Sequence, residues 1–391
     1  MTLSNNILKF KEVNKSYKYR IYPSFEQEKY LIQSIGGSRF VFNQLKGLQE
    51  FLYKNYCYGN SIPEGYNFNP FSKYITQNYN TKLKKVFLWL NDIDSHNTMR
   101  TAHSFTQSML NFKKSGFGMP KYKSRHNPVQ SFTTTYIKVI DGKLKIPKLK
   151  ETIKMKYSRP IKGKILSGTI SKENNKWYVS INVSKSIITS KPKTGKIVGI
   201  DLGLKDAITC SNGKKSGKIQ LKFFDNKIKI LGKKIANRIK DSCNWSKTKV
   251  KLAQTYINKK NYIKDFIHKI TTKIVNNNDQ IYVGNVNNQL GLKNKKLAKT
   301  TADQHWYEIK RQLEYKSDWY DKKFKVVNEK YTSKTCSNCG YKLLELGLGV
   351  RTWTCPECNS KHDRDINAAI NIQTVGTTGF AFSKTNIKLV D

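Results

Sequence analysis

Ile197-Val198-Gly199-Ile200-Asp201-Leu202-Gly203 is the stretch that decides the fold class of this 391-residue chain. Its apolar and small residues run without alternation, which describes a strand buried on both faces, the habit of a parallel sheet covered by helices. The run ends on a carboxylate at the strand's exit. Metal-dependent phosphodiesterases place a Mg²⁺ ligand there, and the competing reading is an Asp that only caps the next element. Downstream the α/β pattern continues with a turn at Asn212-Gly213 and long basic helices to about residue 277. A short strand at Ile281–Val283, a helix over 301–318 and a strand over 324–328 follow.

Upstream of Lys196 the period changes. Tyr17-Lys18-Tyr19-Arg20-Ile21-Tyr22 alternates as a strand does, and Pro23 stops it. Ser24 and Gln27 form a capping box, and apolar residues at helical spacing then run to about 113, with Gly36-Gly37 expected to break the first helix and a loop expected near 58–80. After a Gly/Pro/basic loop over 116–128, Val129–Ile140 and Lys143–Ile146 read as strands joined at Asp141-Gly142; Ile165–Lys172 and Trp177–Val183 flank a second turn at Glu173-Asn174-Asn175. Residues 1–23 and 116–185 are therefore expected to form one β-barrel with 24–115 inserted as helices, joined by a linker over 186–195 to an α/β domain over 196–372; residues 373–391 carry no signal.

Composition points to a polyanionic partner. Lys and Arg number 72 against 27 Asp and Glu, a net charge of +45 spread over the whole length. Such a chain repels itself unless a polyanion neutralises it, and the charge is not gathered into the single amphipathic or juxtamembrane cluster of a membrane binder. No apolar run reaches the roughly 18 residues of a membrane span. A cytoplasmic, nucleoid-associated protein is expected, with no membrane partner.

Cys336-x-x-Cys339 and Cys355-x-x-Cys358 form two knuckles that can set four thiolates around one Zn²⁺. Four ligands leave no open position for water, so this zinc is structural. His362 reads as a neighbour of the following helix cap. Asp363-Arg364-Asp365-Ile366-Asn367-Ala368-Ala369 reads as that helix start, acids at its positive end and apolar residues on its buried side.

Taken in order, Tyr17–Pro23, Gly36–Asn43, Pro120–Phe132, Ile197–Gly203, Leu313-Glu314-Tyr315-Lys316, Ser333–Gly340 and Asp363–Ile372 resemble the TnpB family of insertion-sequence proteins, relatives of the type V CRISPR nucleases. The resemblance implies a multidomain α+β architecture: a β-barrel wedge domain, a helical recognition insertion, and an RNase H-like (RuvC) α/β domain with an inserted zinc ribbon at about 330–361. It implies a guide RNA and a double-stranded DNA target opened as an R-loop. It also makes Asp201 the first and Asp365 the third RuvC carboxylate, with Asp363 the weaker candidate for the third place.

One position departs from the family. The family puts Glu, usually followed by Asp, at the end of the second RuvC strand, where this chain has Gly284-Asn285. Two-metal hydrolysis needs an oxygen-rich anionic cluster, and Gly284 supplies no side-chain oxygen. Weak or absent Mg²⁺ binding is the expectation. The chain then reads as a nuclease-dead repressor of the TnpB-like type (TldR), which would bind DNA beside a short flanking motif as a monomer and block transcription. The alternative is an active endonuclease using a displaced acid, with Asp279, Glu308 and Glu314 as the acids considered; a decayed remnant that binds RNA without guided activity is the third reading. Lys121, Lys123, Arg125, Gln130, Ser131 and Phe132 combine cations with groups able to reach base edges, and by resemblance read the flanking motif. Tyr17, Lys18, Tyr19 and Arg20 are the RNA-contact candidates, their competing reading being an ordinary barrel strand.

Overall fold

The computed structural model describes residues 10–57, 69–114, 116–188, 193–286, 298–347 and 349–379. It divides into two compact units, Glu12–Ser186 and the chain from Ile187 onward together with Phe10 and Lys11.

The first unit is built on strands β1 (Phe10–Tyr22), β2 (Val129–Thr134), β5 (Lys154–Met155), β6 (Lys164–Glu173) and β7 (Lys176–Ile188), hydrogen-bonded in the order β2-β6-β7-β1-β5. A hairpin of β3 (Lys138–Ile140) and β4 (Lys143–Lys145) joins through the Leu144–Ile153 bridge. The expected single strand over 129–140 is thus two strands serving two sheets. Ile137, between them, turns inward so closely over Gly168 that a Cβ there would lie 2.3 Å from its Cδ1. Residues of both sheets share one core, with Tyr19, Ile21, Leu144, Ile153, Ile170 and Val179 among its buried members. Both hairpin turns use left-handed residues, Asp141-Gly142 and Asn174-Asn175, which match the twist of the flanking strands.

The helices of this unit are α1 (Phe25–Cys57), α2 (Lys73–Val86) and α3 (Ser95–Phe112), with a 3-10 turn at Leu88–Asp92. α1 is unbroken across Gly36-Gly37, against expectation. Gly37 is there for space: a Cβ would lie 2.1 Å from Ile93 Cδ1. Residues 58–68 of the expected loop at 58–80 lie outside the described residues, and from Lys73 it is already α2.

In the second unit, β8 (Ile197–Asp201), β9 (Thr209–Cys210), β10 (Gln280–Gly284) and β11 (Lys323–Val327) form a sheet in the order β11-β10-β8-β9. β10 runs parallel to both β8 and β11, which brings the ends of three strands, Asp201, Gly284 and Val327, to one edge. α4 (Lys222–Ala236), α5 (Cys243–Asn277), α6 (Ala298–Asp303) and α7 (Trp306–Trp319) follow in the chain. Ile263, Ile267, Val275, Ile309 and Leu313 of α5 and α7 pack on Val198, Ile200, Ile281 and Val283. The last helix, α8 (Arg364–Thr378), contacts β8 most of all; it extends past residue 372, where the sequence signal ends. Two glycines let it come close. A Cβ on Gly199 would lie 2.0 Å from Ala369 O, and one on Gly376 would lie 2.2 Å from the Tyr282 ring.

Candidate nuclease centre and zinc ribbon

Asp201 ends β8, and Asp365 stands in the first turn of α8, which lies on that strand. The two carboxylates feel each other. Burial first, then the charges of Asp365 and Glu329, raises Asp201 to about 7, with Arg364 opposing. Asp363 is engaged elsewhere. Its side chain caps α8 by accepting from the backbone N–H groups of Asp365 and Ile366, and it pairs with Lys215 at 2.8 Å. Among the described residues Asp365 has only a longer ion pair, to Arg351 at 3.6 Å, which favours it over Asp363 as the metal-facing acid.

Gly284 ends β10, and Asn285 follows with its backbone N–H bonded to Val327 O. The space a side chain at 284 would fill is taken. An ideal Cβ would lie 2.5 Å from Glu329 Oε2, 3.3 Å from Glu329 Cβ and 3.0 Å from Ile372 Cδ1. Glu329 arrives from the neighbouring strand, two residues beyond the end of β11. Burial raises its pKa, and its Oε2 is buried with no hydrogen-bond partner among the described residues. The sequence reading passed over this acid. Its signal was the one that identified Asp201, a carboxylate just past a parallel strand's C-terminal end, where open α/β sheets gather their ligands.

The three acids considered as stand-ins lie elsewhere. Asp279 sits at the other end of β10, accepting from Gly195 N. Glu308 is held by Arg311 and Gln312, which lower it to about 2, and Glu314 is exposed on α7.

A buried carboxylate oxygen without a donor, beside two further acids, is an arrangement that a divalent cation resolves. Asp201, Glu329 and Asp365 therefore fit Mg²⁺. Among the described residues, only the cysteine cluster brings three or more donor residues' atoms within 4.8 Å of one another. A looser acid trio accords with like charges repelling before a cation arrives, and with a two-ion centre whose metals stand about 4 Å apart. Such ions would polarise a phosphodiester and activate water.

The zinc expectation is met in geometry. The Sγ atoms of Cys336, Cys339, Cys355 and Cys358 converge within 4.8 Å, with Cys336–Cys358 and Cys339–Cys355 both at 3.6 Å. Tetrahedral thiolates about 2.3 Å from Zn²⁺ stand at such separations. Gly340, at φ +79, makes the turn after the first knuckle. His362 directly precedes Asp363, the cap of α8, as expected; it also lies in β13 (Lys361–Asp363), which pairs with β12 (Thr352–Thr354), and its Nε2 is 3.0 Å from Cys336 Sγ. Asn367 and Asn371 of α8 donate to Thr332 O and Thr335 O, stitching the ribbon to the helix that carries Asp365.

Several expected nucleic-acid contacts are structural. The rings of Tyr17 and Tyr19 are 5% and 2% exposed, closed to RNA; the alternation placed them in the core. Lys18 pairs with Glu173 at 2.7 Å, and Arg20 lies over the Tyr22 ring. In the motif-reading set, Phe132 is a core residue, and Lys123 lies 4.1 Å over the Phe42 ring while its backbone exchanges hydrogen bonds with Asn43. Gln130 pins its own loop by donating to the carbonyls of Ser124, Arg125 and Asn127. Lys121, Arg125 and Ser131 remain exposed.

Three families match successive parts of the chain: the IS605 OrfB helix-turn-helix domain over residues 13–56, the IS605 OrfB transposase over 178–295, and the Cas12f1-like TNB domain over 306–372. In each of these parts the chain is similar to the TnpB/IS605 proteins. The helix-turn-helix match falls on β1 and the single helix α1. A Streptomyces pristinaespiralis protein named as an RNA-guided DNA endonuclease is 29% identical over 95% of this chain and 91% of its own length. Escherichia coli K12 InsQ, named likewise, is 26% identical over 92% of each chain. A solved Cas12f1–sgRNA–target DNA complex covers 92% of this chain at 18% identity and a TM-score of 0.36.

Proposed function

We propose that this protein is an RNA-guided DNA endonuclease, in which a guide RNA selects a double-stranded target and the RuvC-like centre cuts it with Mg²⁺. The observation that carries this reading is the carboxylate set at one edge of the parallel sheet, Asp201, Glu329 and Asp365, in a chain that aligns along nearly all its length with proteins bearing that name. Sequence choice would lie in base pairing with the guide, the protein recognising duplex shape, backbone and a short flanking motif. The exposed Lys121 and Arg125 suit the latter task.

Gly284-Asn285 favours a second reading, a guided repressor that binds without cutting. A plasmid assay separates the two. The protein, purified with its co-expressed RNA, is given matched and mismatched targets in Mg²⁺, with DNA binding measured in parallel. Cleavage of the matched target only is the expected result. Binding without cleavage would establish the repressor reading, and indifferent binding to any nucleic acid would defeat both.

A further inference from the structure

We infer that Glu329 is a metal ligand of the RuvC-like centre, the carboxylate missing at position 284 having been supplied from the adjacent strand; this rests on the nuclease reading above. Three observations converge. Gly284 and Val327 are register partners on neighbouring parallel strands, so a residue shortly past Val327 can reach the point that a side chain at 284 would occupy. Glu329 does reach it: its Cβ and Oε2 both lie in contact range of the Cβ that Gly284 lacks. Its Oε2 is buried without a donor among the described residues, although Lys and Arg outnumber acids in this chain by 72 to 27. A carboxylate oxygen needing only a cap or an ion pair would find one in such a chain, as Asp363 finds Lys215 and Glu308 finds Arg311. Left bare beside Asp201, it is shaped for a hard cation that takes oxygen ligands.

Gly284 is then a requirement of the centre rather than its lesion. Any side chain there would displace the Glu329 carboxylate or press on Ile372.

The test uses the full chain with its bound RNA and reads metal occupancy separately from DNA cleavage. Fe²⁺ with ascorbate and peroxide cuts a polypeptide beside the ion, and mass spectrometry locates the cuts. In the wild type, cuts are expected near residues 201, 284, 329 and 365, suppressed by excess Mg²⁺. Glu329→Gln should lose these cuts and at least about tenfold to a hundredfold of cleavage rate, since even outer-shell partners of a metal cost that much. Its guided DNA binding should persist, which reports an intact fold. Gly284→Glu alone should lower both readouts, and Gly284→Glu combined with Glu329→Gly should recover them. Retention of Fe²⁺ cuts and DNA cleavage by Glu329→Gln would overturn the inference, as would a wild type showing no local cuts. Absence of guided DNA binding in the wild type would instead defeat the functional reading, with the metal readout still deciding the role of Glu329.

Discussion

At the centre of the second unit, the chemistry of one residue sets a measurable pH dependence. Asp201 is raised from 3.8 to about 7 by burial and by its two acidic neighbours. Between those values the unfolded chain has released this proton and the folded chain still holds it. Stability without added Mg²⁺ therefore falls as pH rises through that window and is fully lowered above about 7. Asp201→Asn removes the effect. Its melting temperature should exceed that of the wild type at about pH 8 and match it at about pH 4, and an equal difference at both would mean that the acid carries no such strain. Residues were also where sequence reading was least reliable. The alternation of Tyr17-Lys18-Tyr19 correctly marked a strand, but a period of two says which residues share a face and not which face is the core. Both tyrosines point inward, as does Phe132.

Among elements, α8 ties the two candidate sites together. Its first turn carries Asp365, its Asn367 and Asn371 hold the backbone of the zinc ribbon, and its Gly376 lets it lie against Tyr282. Loosening the ribbon should therefore disturb the proposed nuclease centre without touching it. Cys339→Ser, or a chelator that strips zinc, is expected to reduce target cleavage at least about tenfold while guide-RNA binding stays within a few-fold. Unchanged cleavage would show that α8 is held by the sheet alone. The elements themselves were largely legible. The Ile197–Asp201 strand, the Asn174-Asn175 turn and the cysteine knuckles followed from local pattern, because buried strands, left-handed turns and thiolate pairs each leave a short signature. Glu329 did not stand out, because its partner Gly284 lies 45 positions earlier (329 − 284) and only the parallel pairing of β10 with β11 brings them together. α1 runs on without a break for a similar reason: Gly37 answers to Ile93, just past the 3-10 turn and more than fifty positions away.

For the whole molecule, the +45 charge dominates behaviour in solution. Each phosphate neutralised releases counterions, so affinity of the protein–RNA complex for matched DNA should fall by about three orders of magnitude between roughly 50 and 200 mM salt. A flat response in a filter-binding titration would argue that protein–backbone contacts contribute little. The same charge explains why composition named a nucleic-acid partner before any motif did, and why it could not say which surfaces touch it. With lysines everywhere, contacts have to be told from solvated surface by what else holds each side chain.

Gly284 and Glu329 also carry a history. Their side chains compete for one small volume, so an acid at 284 requires the Glu329 carboxylate to leave the place it now holds. Among descendants of a common ancestor, an acid at one position should exclude an acid at the other. A lineage passing between the two states by losing one acid before gaining the other crosses an intermediate that has neither. That intermediate would still fold, still hold its RNA and still find its target, but it could not cut. A non-cutting targeting protein is thus one substitution away from this centre in either direction, and selection at such a crossing could keep the binder as readily as restore the blade.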